Sequence, residues 1–287
     1  MKVLVLGANG QLGYEFLNFL KDKVELYSFS HSELDILDFE KLVDKFNEIS
    51  PDVVINCAAY TKVDQAEKEQ TLAYQINSIG AKSVSFASFK VKAKVVYFST
   101  DYVFDGLKGS SYREFDKPNP ISIYGKTKLA GEIYTKEHNP NHLILRISWL
   151  YGINGSNFVK TIIRLAKEKG ELKVVNDQIG APTYTLDVVK QTWKLIQDDS
   201  VGLYHSSNVG QTTWFEFAKR IVEQLNLKVK VLPIKTNEFI VLARRPSFSV
   251  LDNYLLKIEN KNIMRSWEEA FDDFIESYRK ELLSGGS

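Results

Sequence analysis

Short apolar runs alternate, along the first half of the chain, with longer stretches whose apolar positions recur every three or four residues. Val3–Leu6 reads as a buried strand, and Gln11–Lys21 as a helix with Leu12, Phe16 and Leu20 on one face. Val24–Phe29 is a second strand. The next helix covers Asp38–Ile49, with Asp38 as its N-cap and Leu42, Val43, Phe46 and Ile49 as its apolar side. Pro51 ends it and Val53–Cys57 forms a third strand. A helical region over Thr71–Phe89 and strands at Val95–Ser99 and His142–Ile147 continue the rhythm. Strands that are apolar at nearly every position are covered on both faces, which implies a parallel sheet with helices on each side. Right-handed crossovers make such a sheet doubly wound.

Beyond Leu150 the pattern loosens. Asn154–Asn157 and Asn176–Pro182 read as polar loops, Trp214–Leu225 as a helix and Val229–Leu232 as a short strand. The expected organisation is a sheet domain over 1–150, to which 181–205 returns through Thr185–Gln197 and Gly202–Ser206. A smaller α/β substrate-binding lobe covers 151–180 and 206–287. The Gly285-Gly286-Ser287 end reads as loose. With 37 Lys and Arg against 36 Asp and Glu, the net charge of +1 offers no attraction for nucleic acid or an anionic membrane. The lone Cys57 cannot form an internal disulfide and sits in an apolar run, consistent with an inert core thiol and a cytoplasmic setting. No apolar stretch approaches the ~20 residues of a membrane helix.

Gly7-Ala8-Asn9-Gly10-Gln11-Leu12-Gly13 follows the first strand directly and opens the first helix. Glycines at this spacing permit a tight turn and close approach of backbone to a pyrophosphate, and the helix N-terminus supplies free N–H groups. The sheet is therefore expected to be of the Rossmann type, with Gly7, Gly10, Gln11, Leu12 and Gly13 at a dinucleotide. Selection between NADH and NADPH rests on the end of the second strand. Ser28-Phe29-Ser30-His31 has neither the acidic nor the basic signature, so both cofactors stay open. Asp35 and Ile36 follow, and Ala58-Ala59-Tyr60 at the end of the third strand offers small residues for close backbone approach.

Tyr124 and Lys128, four residues apart, share a helix face. A tyrosine titrates near ~10, and a cation one turn away favours its phenolate, making it a candidate proton donor to a carbonyl. The same spacing also occurs in ordinary surface helix pairs. Ser99 or Thr100, at the end of the fourth strand, can place a hydroxyl on a developing oxyanion, or can simply cap a turn. His138 and His142 are separated by Pro140, against a shared metal-binding face, and neither a hydrolase elbow nor a phosphate-binding Lys loop is present.

Taken together, Gly10-Gln11-Leu12-Gly13, Asn56–Asp64, Ser99–Phe104, Tyr124–Glu132, Arg146–Gly152, Asp177–Thr183 and Ala243–Asp252 make the chain resemble the dTDP-4-dehydrorhamnose reductases, a family of extended short-chain dehydrogenases. The resemblance spans about residues 1 to 252. It implies Thr100, Tyr124 and Lys128 as the catalytic triad, and a cofactor, NADPH or NADH, that also meets Tyr124 and Lys128. It implies Thr100, Asp101, Tyr102 and Trp149 at the sugar, with Arg245 on the substrate diphosphate. The implied reaction reduces the C4 ketone of dTDP-6-deoxy-L-lyxo-4-hexulose to dTDP-L-rhamnose. Some relatives bind magnesium at a homodimer contact, but no motif here carries that over. Two other readings share the fold: a non-catalytic dinucleotide-binding subunit, as in methionine adenosyltransferase, and a nucleotide-sugar epimerase or dehydratase.

Overall fold

A computed structural model describes residues 1–238 and 241–284; the terminal Gly285-Gly286-Ser287 lies outside them. The first part of the chain runs β1 (Lys2–Leu6), α1 (Gln11–Leu20), β2 (Glu25–Phe29), α2 (Phe39–Ile49), β3 (Val53–Asn56), α3 (Val63–Ala66), α4 (Gln70–Tyr74), α5 (Ala81–Lys90), β4 (Lys94–Thr100), α6 (Ile123–His138) and β5 (His142–Ile147). Next come β6 (Leu150–Tyr151), α7 (Phe158–Glu168), β7 (Glu171–Val175), β8 (Ile179–Gly180), β9 (Thr183–Tyr184), α8 (Thr185–Gln197) and β10 (Gly202–His205). The chain closes with β11 (Thr212–Thr213), α9 (Trp214–Gln224), β12 (Lys230–Ile234), α10 (Tyr254–Ile258) and α11 (Trp267–Ser284).

Six strands form one sheet in the order β10-β5-β4-β3-β1-β2, every pair parallel. The near-continuous apolar strands divide by alternation. Val3, Val5, Val53, Ile55, Val96 and Phe98 pack one face with Phe16 and Leu20 of α1 and Val188 and Trp193 of α8. Leu4, Leu6, Val54 and Val95 pack the other with Leu42 and Phe46 of α2 and Val84 of α5. This is the doubly wound sheet expected from the sequence. Asp38 caps α2 as anticipated, its carboxylate accepting from Lys41 N at 3.2 Å.

The helical region over Thr71–Phe89 differs from one regular helix. Between α4 and α5 the chain widens into a π-helical turn over Gln75–Gly80, which carries the buried Asn77 toward the start of α6. In the second half, the expected loop over Asn176–Pro182 contains β8, which pairs antiparallel with β11. A separate aromatic core of Tyr151, Phe217, Trp267, Phe271 and Phe274 ties α7, α9 and α11 together beside the β7–β12 pair.

Chain order reverses across β1. From there the strands run outward to β2 on one side and to β3, β4 and β5 on the other. Ligands of open α/β sheets bind at such a reversal, outside the carboxyl ends of the strands.

Candidate active site

The turn after β1 and the turn after β3 meet at that reversal. Gly7 adopts φ 73°, and a Cβ there would stand 2.7 Å from Ala58 N. A Cβ on Gly13 would stand 2.2 Å from Gly7 O. Both positions therefore require glycine, and the backbone at Cys57 and Ala58 lies against the glycine turn. Gly10 begins α1 with no side-chain cap, and no acidic residue occupies the first turn. The N–H groups and positive dipole end face outward there, as a dinucleotide pyrophosphate requires. Leu12 packs its side chain into the core, so it can offer only backbone. The Gln11 side chain is held across the cleft, donating to Ser156 O at 3.3 Å and accepting from Asn157 Nδ2 at 3.1 Å.

Ile36 is a buried core residue, whereas Asp35 is half-buried and 3.5 Å from His31. Tyr60 donates its hydroxyl to Glu69 at 2.7 Å, and its backbone pairs with the Asn77 amide. Asn77 Nδ2 also donates to Thr127 Oγ1 at 3.0 Å, fixing α6 against the turn after β3.

Helix α6 starts where it does because the Ser122 hydroxyl accepts from Gly125 N at 3.1 Å and Glu67 accepts from Ile123 N at 2.9 Å. Gly125 lets the short 3-10 turn after β4 lie directly on the helix, since a Cβ there would stand 2.2 Å from Tyr102 O. That contact brings three expected site residues together. Tyr102 and Tyr124 meet edge to face at 5.9 Å between ring centroids, and the Thr100 hydroxyl lies beside the Tyr124 hydroxyl. Thr100 also caps its own turn, accepting from Tyr102 N at 3.2 Å and donating to Asp101 Oδ1 at 3.0 Å. Ser99 instead donates to Glu132 at 2.5 Å inside the core, so only Thr100 offers a hydroxyl to the cleft.

Titration at the site follows burial. Burial, then the Asp101 charge, pushes Tyr124 up to about 12, with Thr100 drawing it back. Burial drops Lys128 to about 7 against the opposing pull of Glu132. The expected lowering of Tyr124 by Lys128 is therefore corrected: burial and Asp101 raise the phenol, and only Thr100 draws it back. Lys128 is 3% exposed, and its ammonium rests 4.3 Å over the Tyr97 ring. Asp101 is raised to about 7 by burial, although Thr100 donates to it and the Ser249 hydroxyl lies beside it, and its Oδ2 is buried with no hydrogen-bond partner. Cys57 is pushed up by burial, in keeping with an inert thiol.

Two further expected residues lie after β5 and after β12. Trp149 adopts φ 44° beyond the end of β5 and stacks on Trp214 with centroids 3.4 Å apart, a partner the sequence did not reveal. Arg245 is engaged by Asp64, its Nη2 donating to Oδ2 at 2.5 Å, and it lies beside the Tyr102 hydroxyl. Asp64 also accepts from Leu242 N and Ala243 N, both at 3.0 Å. Arg244 is exposed. A groove of about 780 Å³ between α7 and the end of α11 contains none of the triad. Among the described residues, no group of three or more His, Cys, Asp or Glu side chains could hold a metal, and no helix is long and apolar enough to cross a membrane.

A glycine turn at the sheet reversal, together with buried Thr100 and Lys128 and a half-buried Tyr124, defines an oxidoreductase of the extended short-chain dehydrogenase class. The family model described as the RmlD substrate binding domain matches residues 1–280. The chain is 42% identical over 277 residues to the spore coat polysaccharide biosynthesis protein SpsK of Bacillus subtilis, covering 96% of this chain and 97% of that protein. It is 39% identical over 273 residues to the dTDP-4-dehydrorhamnose reductase of Aggregatibacter actinomycetemcomitans, covering 90% and 92%. A solved dTDP-4-dehydrorhamnose reductase from Bacillus anthracis, in complex with NADP, matches with TM-score 0.94 and 48% identity over 96% of this chain and 99% of that one. The chain belongs to the dTDP-4-dehydrorhamnose reductase family.

Proposed function

We propose that this protein reduces the C4 ketone of dTDP-6-deoxy-L-lyxo-4-hexulose to give dTDP-L-rhamnose. The observation that carries the reading is the Thr100 hydroxyl beside Tyr124, with Lys128 one helix turn further along α6. The residues fit a nicotinamide dinucleotide: an uncapped α1 N-terminus, glycines where a Cβ would collide, and the Lys128 side chain, 3% exposed, with its ammonium over the Tyr97 ring. When bound, NADPH or NADH supplies the hydride. Tyr124, held protonated by burial, donates its proton to the ketone oxygen. Thr100 places a second hydroxyl on the same oxygen, and Lys128 holds the nicotinamide ribose.

On the sugar side, Asp101 and Tyr102 hold hydroxyls, and Trp149, braced by Trp214, supplies an apolar wall. Arg245 is placed to meet the diphosphate. In this reading 1–150 with 181–205 holds the cofactor, and 151–180 with 206–287 holds the nucleotide-sugar. The setting is the cytoplasm, and a homodimer is compatible with the exposed helices.

The test follows absorbance of the reduced nicotinamide with NADH or NADPH and the enzymatically generated keto-sugar. Sugar-dependent oxidation supports the reading and reports cofactor choice. Bound cofactor without oxidation would favour a non-catalytic subunit. Tyr124→Phe is expected to retain cofactor affinity and to lose turnover by about 10²-fold or more; a near-normal rate would remove Tyr124 as the donor.

A further inference from the structure

Behind Lys128 lies a charged cluster that the proposed reaction does not use. Glu132 is 1% exposed and Arg146 2% exposed. Arg146 Nε and Nη2 donate to the two Glu132 oxygens at 2.8 and 2.7 Å, and Ser99 Oγ donates to Oε1 at 2.5 Å. The far side of the guanidinium reaches toward His205, 3.5 Å away, and packs over the Phe104 ring. His205 is held neutral there, since burial and then Arg146 push it down to about 3.

A buried ion pair is a poor device for stability alone. Its desolvation cost commonly matches its attraction, and apolar residues of similar volume often serve as well. Position offers a better reason for this one. Glu132 follows Lys128 by four residues on α6, so both side chains leave the same face, toward β4. Three titratable groups face the ammonium, Glu132 from α6, Tyr97 from β4 and Cys57 from beyond β3, and Tyr124 lies beside Tyr97. Burial raises Tyr97, Tyr124 and Cys57 and keeps them neutral, leaving Glu132 as the one counter-charge of the set.

We propose that Glu132 is a positioning residue for the reaction: its carboxylate, fixed by Arg146 and Ser99, keeps the Lys128 ammonium charged inside the core. Arg146 holds the carboxylate in one geometry and tempers its pull, so the pair sets the pH range over which Lys128 can serve the cofactor. The inference rests on the reductase reading for its purpose, but not for its test.

The whole chain, labelled with 13Cε-lysine, is titrated by NMR, and the Lys128 signal is identified by its loss in Lys128→Arg. Wild type is expected to show one lysine titrating far below the rest. In Glu132→Met/Arg146→Met, where both charges go and volume is kept, that titration is expected to fall by about one pH unit. In Arg146→Met alone, the unshared carboxylate should raise it by about one unit. Should the single variant fail to fold, the double variant decides alone. The basic limb of kcat/KM for the reductase should move in the same directions. A folded double variant with an unmoved Lys128 titration overturns the proposal, as does a shift of both variants in one direction. Shifts as expected, in a protein that fails to oxidise cofactor, would sink the reductase reading and leave the electrostatic role standing.

Discussion

At the residue scale, the site is governed by desolvation. Asp101 shows it most clearly: Thr100 donates to it and the Ser249 hydroxyl lies beside it, yet burial still raises its carboxyl to about 7. The unfolded chain releases this proton near pH ~4, so between about pH 4 and 7 the folded state binds a proton the unfolded state has lost. Stability from this group is therefore present at low pH and falls as pH rises across that window. Asp101→Asn is expected to match wild type in thermal denaturation near pH 4. It should melt above wild type at pH 8, where the whole window has been crossed. An equal or lower melting point at pH 8 would mean the carboxyl is ionised in the fold. The same variant should lose affinity for the sugar if Asp101 meets a hydroxyl there.

At the scale of elements, one helix does most of the assembly. α6 carries Tyr124, Lys128 and Glu132 on one side, and its docking depends on the bare backbone at Gly125. Gly125→Ala would drive a methyl into Tyr102 O, forcing the 3-10 turn away from the helix. The expected cost is about 1–3 kcal/mol of stability, with a larger fractional loss of turnover, because Thr100 moves with that turn. Denaturant melts and steady-state rates on the same preparation check both parts. Unchanged values in each would show that turn and helix are not rigidly coupled. The π-helical turn before α5 acts similarly, since it delivers the Asn77 amide to both the Tyr60 backbone and Thr127.

At the scale of the whole molecule, polar ties cross the cleft. Asn154 Nδ2 donates to Asn9 O at 2.9 Å beside the glycine turn. Ser249 reaches Asp101, and Asp64 gathers Leu242, Ala243 and Arg245. Arg245 is thus oriented before any substrate arrives, and part of its charge is already neutralised. Arg245→Ala is expected to raise KM for the nucleotide-sugar about tenfold or more, with kcat little changed, as for a contact made equally in ground and transition states. Steady-state kinetics at saturating cofactor measure it, and an unmoved KM would leave Arg245 only its contact with Asp64.

Local chemistry made much of this protein readable in advance. The apolar runs of β1, β3, β4 and β5, the helical spacing of α1 and α2, the Asp38 cap and the glycine turn are short-range consequences of side-chain period and backbone sterics. The tyrosine and lysine of α6 are likewise one helix turn apart whatever surrounds them. What distant segments impose was not readable. The π-helical turn, the strand within 176–182, the Trp149–Trp214 stack and the grip of Asp64 on Arg245 join residues far apart in sequence. Ser99 and Thr100 are neighbours in the chain, yet the pleat turns Ser99 to Glu132 and leaves Thr100 at the cleft. The sequence by itself determined which elements form and which reactive side chains the sheet ends carry, because those follow from nearest-neighbour geometry. Only the tertiary structure decided how those side chains titrate, because burial and the charges brought in by other strands set the energy of every proton in the site.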